Sequence, residues 1–450
     1  MQNVIYTIFQ SAVVRPLTPR SLRSRRPSPS RGEGQLLLIA CLILAGCTFA
    51  QDAANRAHHA GELFSLKNHR VLRLHGPDIR ERGFAHGYLL AEEIRDDLDA
   101  ALKSLPMFDA TKYETKLLPW AAKHFEWDND AIQELDGIFE GMSGKLGKDG
   151  LVSKSLNREL TRQDLNALNV LADYFGPACS GFSVWDKRSS GGAVLQGRTL
   201  DFPIGPKAIA DQLIVVSEAM NPELAPTASQ KGTTRKAWVC IGWPGLIVQF
   251  SGMNSDGLVA CIHDGYNTVK GNVGEACLAR GLLLRRMLES IDPTAGDPAA
   301  TAARMAGAQA TACGNLFHLS WPRLAAEKTA TMPSAVLEFD SSDHNVSIRR
   351  MDESGTLVVT NHFCQRRAPV VCERFKNITD GLKLLENAKQ RVGLNEARKL
   401  LMSAEQPVAA HSVYFYPDTV ELHIALTRNN IMSPHVAPTA FSFKELFEAK

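Results

Sequence analysis

The sequence predicts an α+β protein in which stacked sheets are covered by helices, and three observations support this class. Residues 52–178 are dominated by apolar residues at helical spacing. After residue 178 the pattern changes to short strands, which are interrupted by two helical blocks. No repeat of fixed period is present. Separate blocks of helices and strands in one chain are typical of layered α+β architectures.

The first 50 residues predict an export signal. Residues 1–34 carry six arginines and one acid, and the apolar run at 35–46 is too short to span a bilayer as a mature helix. A basic stretch, an apolar run and a cleavage position at Ala50 are typical of a secretory signal peptide. Residues 44–47 (LAGC) also resemble a bacterial lipobox, in which Cys47 would become the lipidated first residue. We therefore expect a periplasmic or extracellular protein, either free or held to a membrane by lipid on Cys47.

The charge distribution gives no sign of nucleic-acid binding. The whole chain carries +2 and residues 1–34 carry +5, so the remainder carries −3. A mildly acidic body lacks the basic surface that a nucleic-acid partner requires.

Cysteine usage fits an exported protein without a cofactor. Seven of the nine cysteines follow residue 50. An odd number in an exported chain suggests one free thiol and up to three disulfides. No Cys or His residues occur at zinc-binding spacing. We therefore expect neither a metal nor another cofactor.

Three helices are predicted before residue 178. In residues 80–105 and 130–146, apolar residues recur every three or four positions, which indicates two amphipathic helices. Thr161 and Asp164 form a capping-box pattern that opens a third helix. Residues 176–177 (GP) end that helix, because proline cannot continue it.

Strand patterns dominate the rest of the chain. They lie at residues 179–185, 193–202, 212–219, 237–241, 246–251, 257–263, 335–339, 345–350 and 355–360. Helices are predicted at 274–291 and 298–309, and over 380–403 with an interruption near Gly393. A hairpin of strands at 412–416 and 420–426 closes the chain.

Cys179 begins a predicted hairpin that brings three reactive side chains together. Two strand patterns within residues 179–202 are joined by a turn-rich segment. We expect Cys179 to lie opposite Thr199, with Arg198 and Asp201 nearby, because neighbouring strands are about 4.8 Å apart. A slip of one residue exchanges which of Arg198 and Asp201 shares the face of Cys179, so both are candidates for the site.

Several segments resemble N-terminal nucleophile hydrolases. Residues 197–202 (GRTLDF) are similar to a strand of penicillin V acylases and bile salt hydrolases, in which a leading Cys is followed by an Arg and an Asp. Residues 251–258 (SGMNSDGL) resemble the Gly-Met-Asn-Glu-x-Gly-Leu turn of those enzymes, and residues 360–363 (TNHF) resemble a Thr-Asn segment of the wider group. Residues 82–94 (RGFAHGYLLAEEI) resemble the propeptide helix of the autoproteolytic branch related to isopenicillin N acyltransferase. The ordered set extends over about 80–426.

This resemblance implies a four-layer αββα sandwich and a division of the chain. Residues 1–50 would be the leader and signal peptide, 51–178 a helical propeptide, and 179–450 the hydrolase domain. Because the propeptide precedes Cys179, the resemblance implies that the chain cuts itself between Ala178 and Cys179. The propeptide would then remain as a separate, associated chain.

In the implied chemistry, the side-chain sulfur and the backbone nitrogen of Cys179 both take part. The Cys179 thiolate is the nucleophile, and the freed α-amine, with a reference pKa of about 7.7–8.0, is the base. Arg198 would favour the thiolate, and Asp201 would orient the amine by a charge-assisted hydrogen bond.

The resemblance also implies donors for the oxyanion that forms during acyl transfer. Asn361 is the first candidate, with a turn-forming role as the alternative. Where the resemblance implies a second asparagine, this sequence has His263 or Asp264. A histidine can donate a hydrogen bond to the oxyanion, whereas an ionised aspartate cannot. Arg374 corresponds to a second arginine of the family. Asn254 is expected to shape a tight turn.

These features predict an exported cysteine amidohydrolase or acyltransferase that acts on a small linear or peptide-like amide through a thioester on Cys179. Two alternatives remain open. One is a non-catalytic envelope protein that binds a ligand on the same scaffold, and the other is an uncut hydrolase with His263 as its base.

Overall fold

The computed structural model describes residues 51–104, 109–221, 234–266, 276–350, 355–368 and 370–449. The predicted leader, the signal peptide and Cys47 lie outside these residues. No helix in the described ranges is long and apolar enough to cross a membrane.

Seventeen strands are formed by the described residues. They are β1 (Gly61–Leu66), β2 (His69–Leu74), β3 (Val152–Ser153), β4 (Arg158–Glu159), β5 (Ala178–Val184), β6 (Leu195–Asp201), β7 (Leu213–Ser217), β8 (Trp238–Gly242), β9 (Ser251–Asn254), β10 (Val259–Asp264), β11 (Asn315–Ser320), β12 (Ser334–Phe339), β13 (Ser347–Arg349), β14 (Thr356–Val359), β15 (Ala409–Tyr416), β16 (Glu421–Leu426) and β17 (Thr439–Ser442).

The described helices pack around these strands. They are α1 (Ile79–Leu89), α2 (Ala91–Ser104), α3 (Ala110–Lys112), α4 (Leu118–His124), α5 (Asn129–Gly150), α6 (Arg162–Asn169), α7 (Leu171–Phe175), α8 (Gly205–Ala210), α9 (Arg280–Ser290), α10 (Pro298–Gly307), α11 (Arg323–Thr329), α12 (Glu373–Asn387), α13 (Leu394–Met402) and α14 (Phe443–Glu448). The predicted capping box at Thr161 and Asp164 is confirmed at the start of α6.

Two large sheets face each other. The first has nine strands in the order β1-β2-β7-β8-β9-β10-β11-β12-β13, and the second has six in the order β14-β5-β6-β15-β16-β17. Their facing sides share one buried apolar cluster, in which Val216 and Met253 of the first sheet join Val413 and Phe415 of the second. Burial of apolar surface between two sheets is the main stabilising contribution in such an arrangement.

Helices cover the outer face of each sheet. Leu284 of α9 packs in one cluster with Ile262 of the nine-stranded sheet. Ile378 of α12 and Leu401 of α13 pack against Phe182 of the six-stranded sheet. The predicted α+β class is confirmed, with helices outside and the two sheets inside.

The segment before Cys179 differs from the helical propeptide that we expected, because it also supplies strands. β1 and β2 form an edge hairpin of the nine-stranded sheet, and Val71 of β2 pairs with Ile214 of β7 in parallel. The hairpin turn consists of Lys67 and Asn68, both with positive φ of 49° and 64°. Such turns usually contain Asn-Gly or Asp-Gly, so this pair gives no clear sequence signal.

Further elements also depart from the expectation, including three after Cys179. β11 was not predicted, although all its residues are buried, because it lacks polar alternation. The strand expected at 246–251 begins only at Ser251. The helix expected over 380–403 begins at Glu373 and is divided into α12 and α13.

Glycines allow α1 and α5 to pack at very short distance. A Cβ atom at Gly83 or Gly87 of α1 would overlap the backbone carbonyl of Glu134 or Ile138. The reciprocal glycines of α5, at 137 and 141, would likewise overlap the backbone of α1. Both helices therefore need glycine at this spacing of four residues, which places small residues on one face.

Candidate active site

The hairpin of β5 and β6 places Cys179 and Arg198 on the same face. Cys179 pairs with Leu200, and Gly181 pairs with Arg198. Our expected pairing of Cys179 with Thr199 was therefore wrong by one residue. Since side chains alternate along a strand, Cys179 and Arg198 both face the nine-stranded sheet, while Asp201 pairs with Ala178 and faces the other way.

The Arg198 guanidinium holds the Cys179 sulfur. Its Nη2 donates to Cys179 Sγ at 2.9 Å and to the Ile262 carbonyl oxygen at 2.8 Å. The Cys179 thiol itself donates to the same Ile262 carbonyl at 3.4 Å. No carboxylate of the described residues forms an ion pair with Arg198, which is fully buried. A thiolate at Cys179 is thus the anion best placed to neutralise this arginine.

A second set of polar groups holds Arg198 in place. Its Nη1 donates to the Phe250 carbonyl oxygen at 3.2 Å and to Ser251 Oγ. Ser251 Oγ lies 2.9 Å from His411 Nε2, and His411 Nδ1 lies 2.8 Å from Gln212 Oε1. Sequence analysis missed Ser251 and His411 in this role, because they come from two strands far apart in the chain.

Asn361 and Arg374 hold the backbone of Cys179. The Cys179 N–H donates to Asn361 Oδ1 at 2.8 Å, and Arg374 Nη2 donates to the same oxygen at 2.8 Å. Arg374 Nη1 also donates to the Cys179 carbonyl oxygen at 2.8 Å. Two donors on one atom identify it as the amide oxygen. The Asn361 Nδ2 donates to the Asp264 carbonyl oxygen at 2.9 Å, so in this uncut chain Asn361 positions a nitrogen.

Asp201 lies nearby without a hydrogen-bond partner among the described residues. The side chain is fully buried, and neither carboxylate oxygen accepts a hydrogen bond. Arg374 Nη1 is 3.8 Å from Asp201 Oδ2. Burial raises the pKa of Asp201 to about 7, against the attraction of Arg374 and Arg198. An unpaired buried carboxyl is costly, and a new positive group beside it would stabilise its ionised form.

The thiol is shielded from external substrates in the uncut chain. Cys179 is 0% exposed. Burial raises the pKa of its thiol to about 11, although Arg198 opposes this. The reactive thiolate is therefore scarce at neutral pH, and no substrate reaches the sulfur in this state.

His263 and Asp264, which stand where the resemblance implies a second asparagine, form no hydrogen bond with the Cys179 thiol in the described structure. His263 lies beneath Gly181, where an added Cβ would be 3.0 Å from His263 Cε1. Neither ring nitrogen of His263 has a partner among the described residues, and burial together with Arg198 lowers its pKa well below the ordinary value. The Asp264 side chain instead forms an ion pair with Arg280 of α9. Nothing in this geometry provides a base for an uncut hydrolase.

Asn254 shapes a turn. Its Oδ1 accepts from the backbone N–H groups of Asp256 and Leu258, and its Nδ2 donates to the Leu288 carbonyl oxygen. Gly257 completes the turn with a φ of 81°.

An apolar cavity lies beside the elements that carry the site. Its lining includes Phe202, which follows Asp201, and Phe250, whose carbonyl accepts from Arg198. Leu168 and Trp243 also line the cavity, and Asp97 adds a carboxyl group to the lining. Burial and the neighbouring Asp211 raise the pKa of Asp97 to about 8. The cavity is bounded by residues on both sides of the predicted cut.

The site contains no metal-binding cluster in the described ranges. The seven cysteines after residue 50 are all free thiols, so the disulfides that we expected do not form in this structure.

Comparison with solved structures returns proteins of the kinds that the motifs resemble. A single-residue variant of the conjugated bile acid hydrolase of Clostridium perfringens is 13% identical, with 59% of this chain and 93% of that chain covered and a TM-score of 0.39. The penicillin V acylase of Agrobacterium tumefaciens is 12% identical, with 58% and 85% covered and a TM-score of 0.35.

A third similar structure is the N-acylethanolamine-hydrolysing acid amidase ortholog of Caenorhabditis elegans, at 11% identity, with 53% and 93% covered and a TM-score of 0.37. No protein-family model matches the sequence, and no curated protein sequence is significantly similar to it.

Proposed function

We propose that this chain is an exported cysteine amidohydrolase or acyltransferase that cuts itself between Ala178 and Cys179. One observation carries the proposal: buried side chains bind both the sulfur and the backbone nitrogen of the same residue. Arg198 holds Cys179 Sγ, and Asn361 holds Cys179 N. A purely structural cysteine needs neither contact, because it packs as a small apolar side chain.

The self-cleavage step uses the thiol on the preceding residue. The Cys179 sulfur attacks the Ala178 carbonyl carbon, the bond from that carbon to the Cys179 nitrogen breaks, and the thiol proton passes to the nitrogen. Water then hydrolyses the thioester, which frees the thiol and leaves a carboxyl group on Ala178. Both products of this step are new chain ends, and the nitrogen held by Asn361 becomes an amine.

The new amine supplies the base that the uncut chain lacks. An α-amine with a pKa of about 7.7–8.0 is partly neutral at pH 7 and takes the thiol proton. When the amine is protonated, Asp201 is the nearby carboxyl that can pair with it, and Arg198 stabilises the thiolate. The thiolate then attacks a substrate amide carbonyl, the substrate amine leaves with the proton, and water or a second amine resolves the thioester.

The segment before the cut has contacts that would keep it associated. Its strand β2 pairs with β7, inside the nine-stranded sheet. Glu134 of α5 forms a buried ion pair of 2.7 Å with Arg285 of α9. Arg82 of α1 donates to Ser217 and to the Glu218 carbonyl oxygen. These contacts cross from one side of the cut to the other, so the two chains would form one folded unit.

The adjacent apolar cavity of about 40 Å³ supports at most a short apolar acyl group as part of the substrate. Phe202 and Phe250 line it beside the residues that hold Cys179. Apolar pockets bind acyl chains because the chain leaves water, at roughly 0.8 kcal/mol per buried methylene. We propose that the substrate is a small molecule with a linear or peptide-like amide bond, and that the protein works outside the cytoplasm, free or anchored by lipid on Cys47.

Intact mass and N-terminal sequencing of the purified mature protein test the proposal. We expect two associated polypeptides, one of which begins with Cys179, and a single uncut chain from the Cys179→Ala variant. The matched control is Cys261→Ala, since Cys261 is also wholly buried and burial raises its pKa to about 12. That variant should be cut like the wild type. An uncut wild-type chain, or a Cys179→Ala chain that hydrolyses amides normally, would refute the proposed function.

A further inference from the structure

A second group of thiols lies on the two segments that position Cys179. Cys364 follows Asn361 in one loop, and Cys372 precedes Arg374 at the start of α12. Both cysteines are partly exposed, unlike the wholly buried Cys179. The two cysteines therefore lie on the two segments that hold the Cys179 backbone, where Asn361 contacts its nitrogen and Arg374 contacts its carbonyl oxygen.

His362 lies between these two thiols. Its Nδ1 is 3.1 Å from Thr360 Oγ1, and the same hydroxyl is 3.4 Å from Cys372 Sγ. Hydrogen bonds with the Cys364 and Cys372 sulfurs raise the pKa of His362 to about 9. His362 is thus close to both sulfurs, since its backbone carbonyl oxygen lies 4.0 Å from Cys364 Sγ and Thr360 Oγ1 connects its ring to Cys372 Sγ.

The loop that carries Cys364 is anchored firmly. The wholly buried Glu338 accepts hydrogen bonds from the backbone N–H groups of Cys364, Gln365 and Arg366 at 2.9–3.1 Å. Arg349 pairs with the same carboxylate at 2.9 Å. The backbone of Cys364 is therefore fixed near His362.

The charge of this group favours a reactive sulfur at Cys372. Burial alone would raise the pKa of the Cys372 thiol, but His362, Thr360 and the nearby Arg374 lower it to about 6. A thiolate beside a protonated imidazole is the usual environment of a reactive cysteine. Cys313 differs, because the burial of its sulfur raises its pKa well above the ordinary value.

We propose that Cys372 and Cys364 form a second thiol site, in which Cys372 reacts with a low-molecular-weight disulfide and Cys364 resolves the product. The Cys372 thiolate attacks one sulfur of the disulfide, and the other sulfur leaves as a thiolate. Cys364, deprotonated as it reacts, then attacks Cys372 Sγ and releases the second thiolate. The two protein thiols are oxidised to one bridge, the disulfide is reduced to two thiols, and the solution balances the protons.

The bridge would act on the site of Cys179 through its two supports. It would tie the loop of Asn361 to the start of α12, where Arg374 begins its contacts with the Cys179 carbonyl and with Asn361. This effect on turnover rests on the proposed function, whereas the chemistry of the two thiols does not.

Oxidised glutathione and the full-length Cys179→Ala chain provide the test, since that variant contains neither the nucleophile nor the cut. After incubation at neutral pH, trypsin separates Cys364 from Cys372 at Arg366 and Arg367. We expect the two peptides to be linked and to lack two hydrogens. In the Cys364→Ser variant we expect glutathione to stay attached to Cys372.

The rate of alkylation provides a second readout that requires no bridge. At pH 6, iodoacetamide should modify Cys372 about tenfold faster than an ordinary thiol, because its larger thiolate fraction outweighs its lower nucleophilicity. Cys313→Ser is the matched control and should leave both results unchanged. Faster alkylation of Cys313, or glutathione retained on Cys372 while Cys364 is intact, would overturn the proposal. Either result can be read whether or not the wild-type chain cuts itself.

Discussion

The buried carboxyl of Asp201, whose nearest cation is Arg374 at 3.8 Å, should make the uncut chain less stable as the pH rises. Its pKa is about 7 in the folded chain, against an ordinary value of 3.8. At 1.36 kcal/mol per pH unit, this difference corresponds to a cost of about 4 kcal/mol when the carboxyl is ionised. Asparagine resembles the protonated acid in shape and cannot ionise, so Asp201→Asn should remove this cost.

The sign of the pH dependence follows from proton binding. Between about pH 4 and pH 7 the folded chain keeps a proton on Asp201 that the unfolded chain has lost. The free energy of unfolding therefore falls as the pH rises through this window. Relative to its parent, Asp201→Asn should be nearly neutral at pH 4 and more stable by up to about 4 kcal/mol at pH 8. The parent is the Cys179→Ala chain, which lacks the thiol that the proposed cut requires.

Urea unfolding followed by tryptophan fluorescence measures this difference, since the chain has six tryptophans. A gain of about 4 kcal/mol corresponds to a midpoint shift on the order of 1 M urea. The control is Asp164→Asn. Burial alone would raise the pKa of Asp164, but hydrogen bonds from Arg158 and Thr161 lower it. That variant should lose stability above pH 4. A difference between Asp201→Asn and its parent that does not change from pH 4 to pH 8 would show that folding does not raise the pKa of the Asp201 carboxyl, and would refute this reasoning.

Two further substitutions test the packing of the N-terminal segment and the support of the thiol. Gly87→Ala should destabilise the fold by about 3 kcal/mol or more, because the new methyl group overlaps α5. The control Gly144→Ala should be tolerated, because the nearest atom to its new methyl group is 3.7 Å away. Equal thermal unfolding midpoints for the two variants would contradict this prediction. Arg198→Met should slow self-cleavage on the order of tenfold or more, because it removes the cation beside Cys179 Sγ and raises the thiol pKa. Arg198→Lys should restore part of the cleavage rate measured by gel densitometry, and unchanged cleavage in Arg198→Met would exclude a role for the charge.

The sequence predicted which side chains share a face of the sheet where this depends only on the alternation of residues along neighbouring strands. Cys179 and Arg198 share a face because two strands with a period of two meet in one hairpin. The register was wrong by one residue, since the connection contains two short 3₁₀ turns and Asp186 has a positive φ of 50°. Turn geometry sets register, and this turn has no standard sequence signature.

Contacts between distant segments could not be predicted in this way. Arg374 was a candidate by resemblance alone, yet it contacts the Cys179 carbonyl across nearly two hundred residues of chain. Ser251 and His411 support Arg198 from strands of two different sheets. No local pattern reports such contacts, because they depend on how the sheets face each other. The glycines at 83, 87, 137 and 141 were a usable signal, since their spacing of four indicates two closely packed helices.

The different pKa values of the thiols in this chain affect which experiment can identify the catalytic nucleophile. A thiol-reactive electrophile applied to the uncut protein at neutral pH should modify Cys372 first, because Cys179 is buried with a pKa of about 11 while Cys372 has a pKa of about 6. Fast labelling alone is thus no evidence for catalysis at Cys179. The distinguishing property of Cys179 is its backbone nitrogen, held by Asn361 inside the protein. Only cleavage of the peptide bond at that nitrogen converts this contact into a catalytic one, so the mature N-terminus reports the nucleophile more directly than its reactivity does.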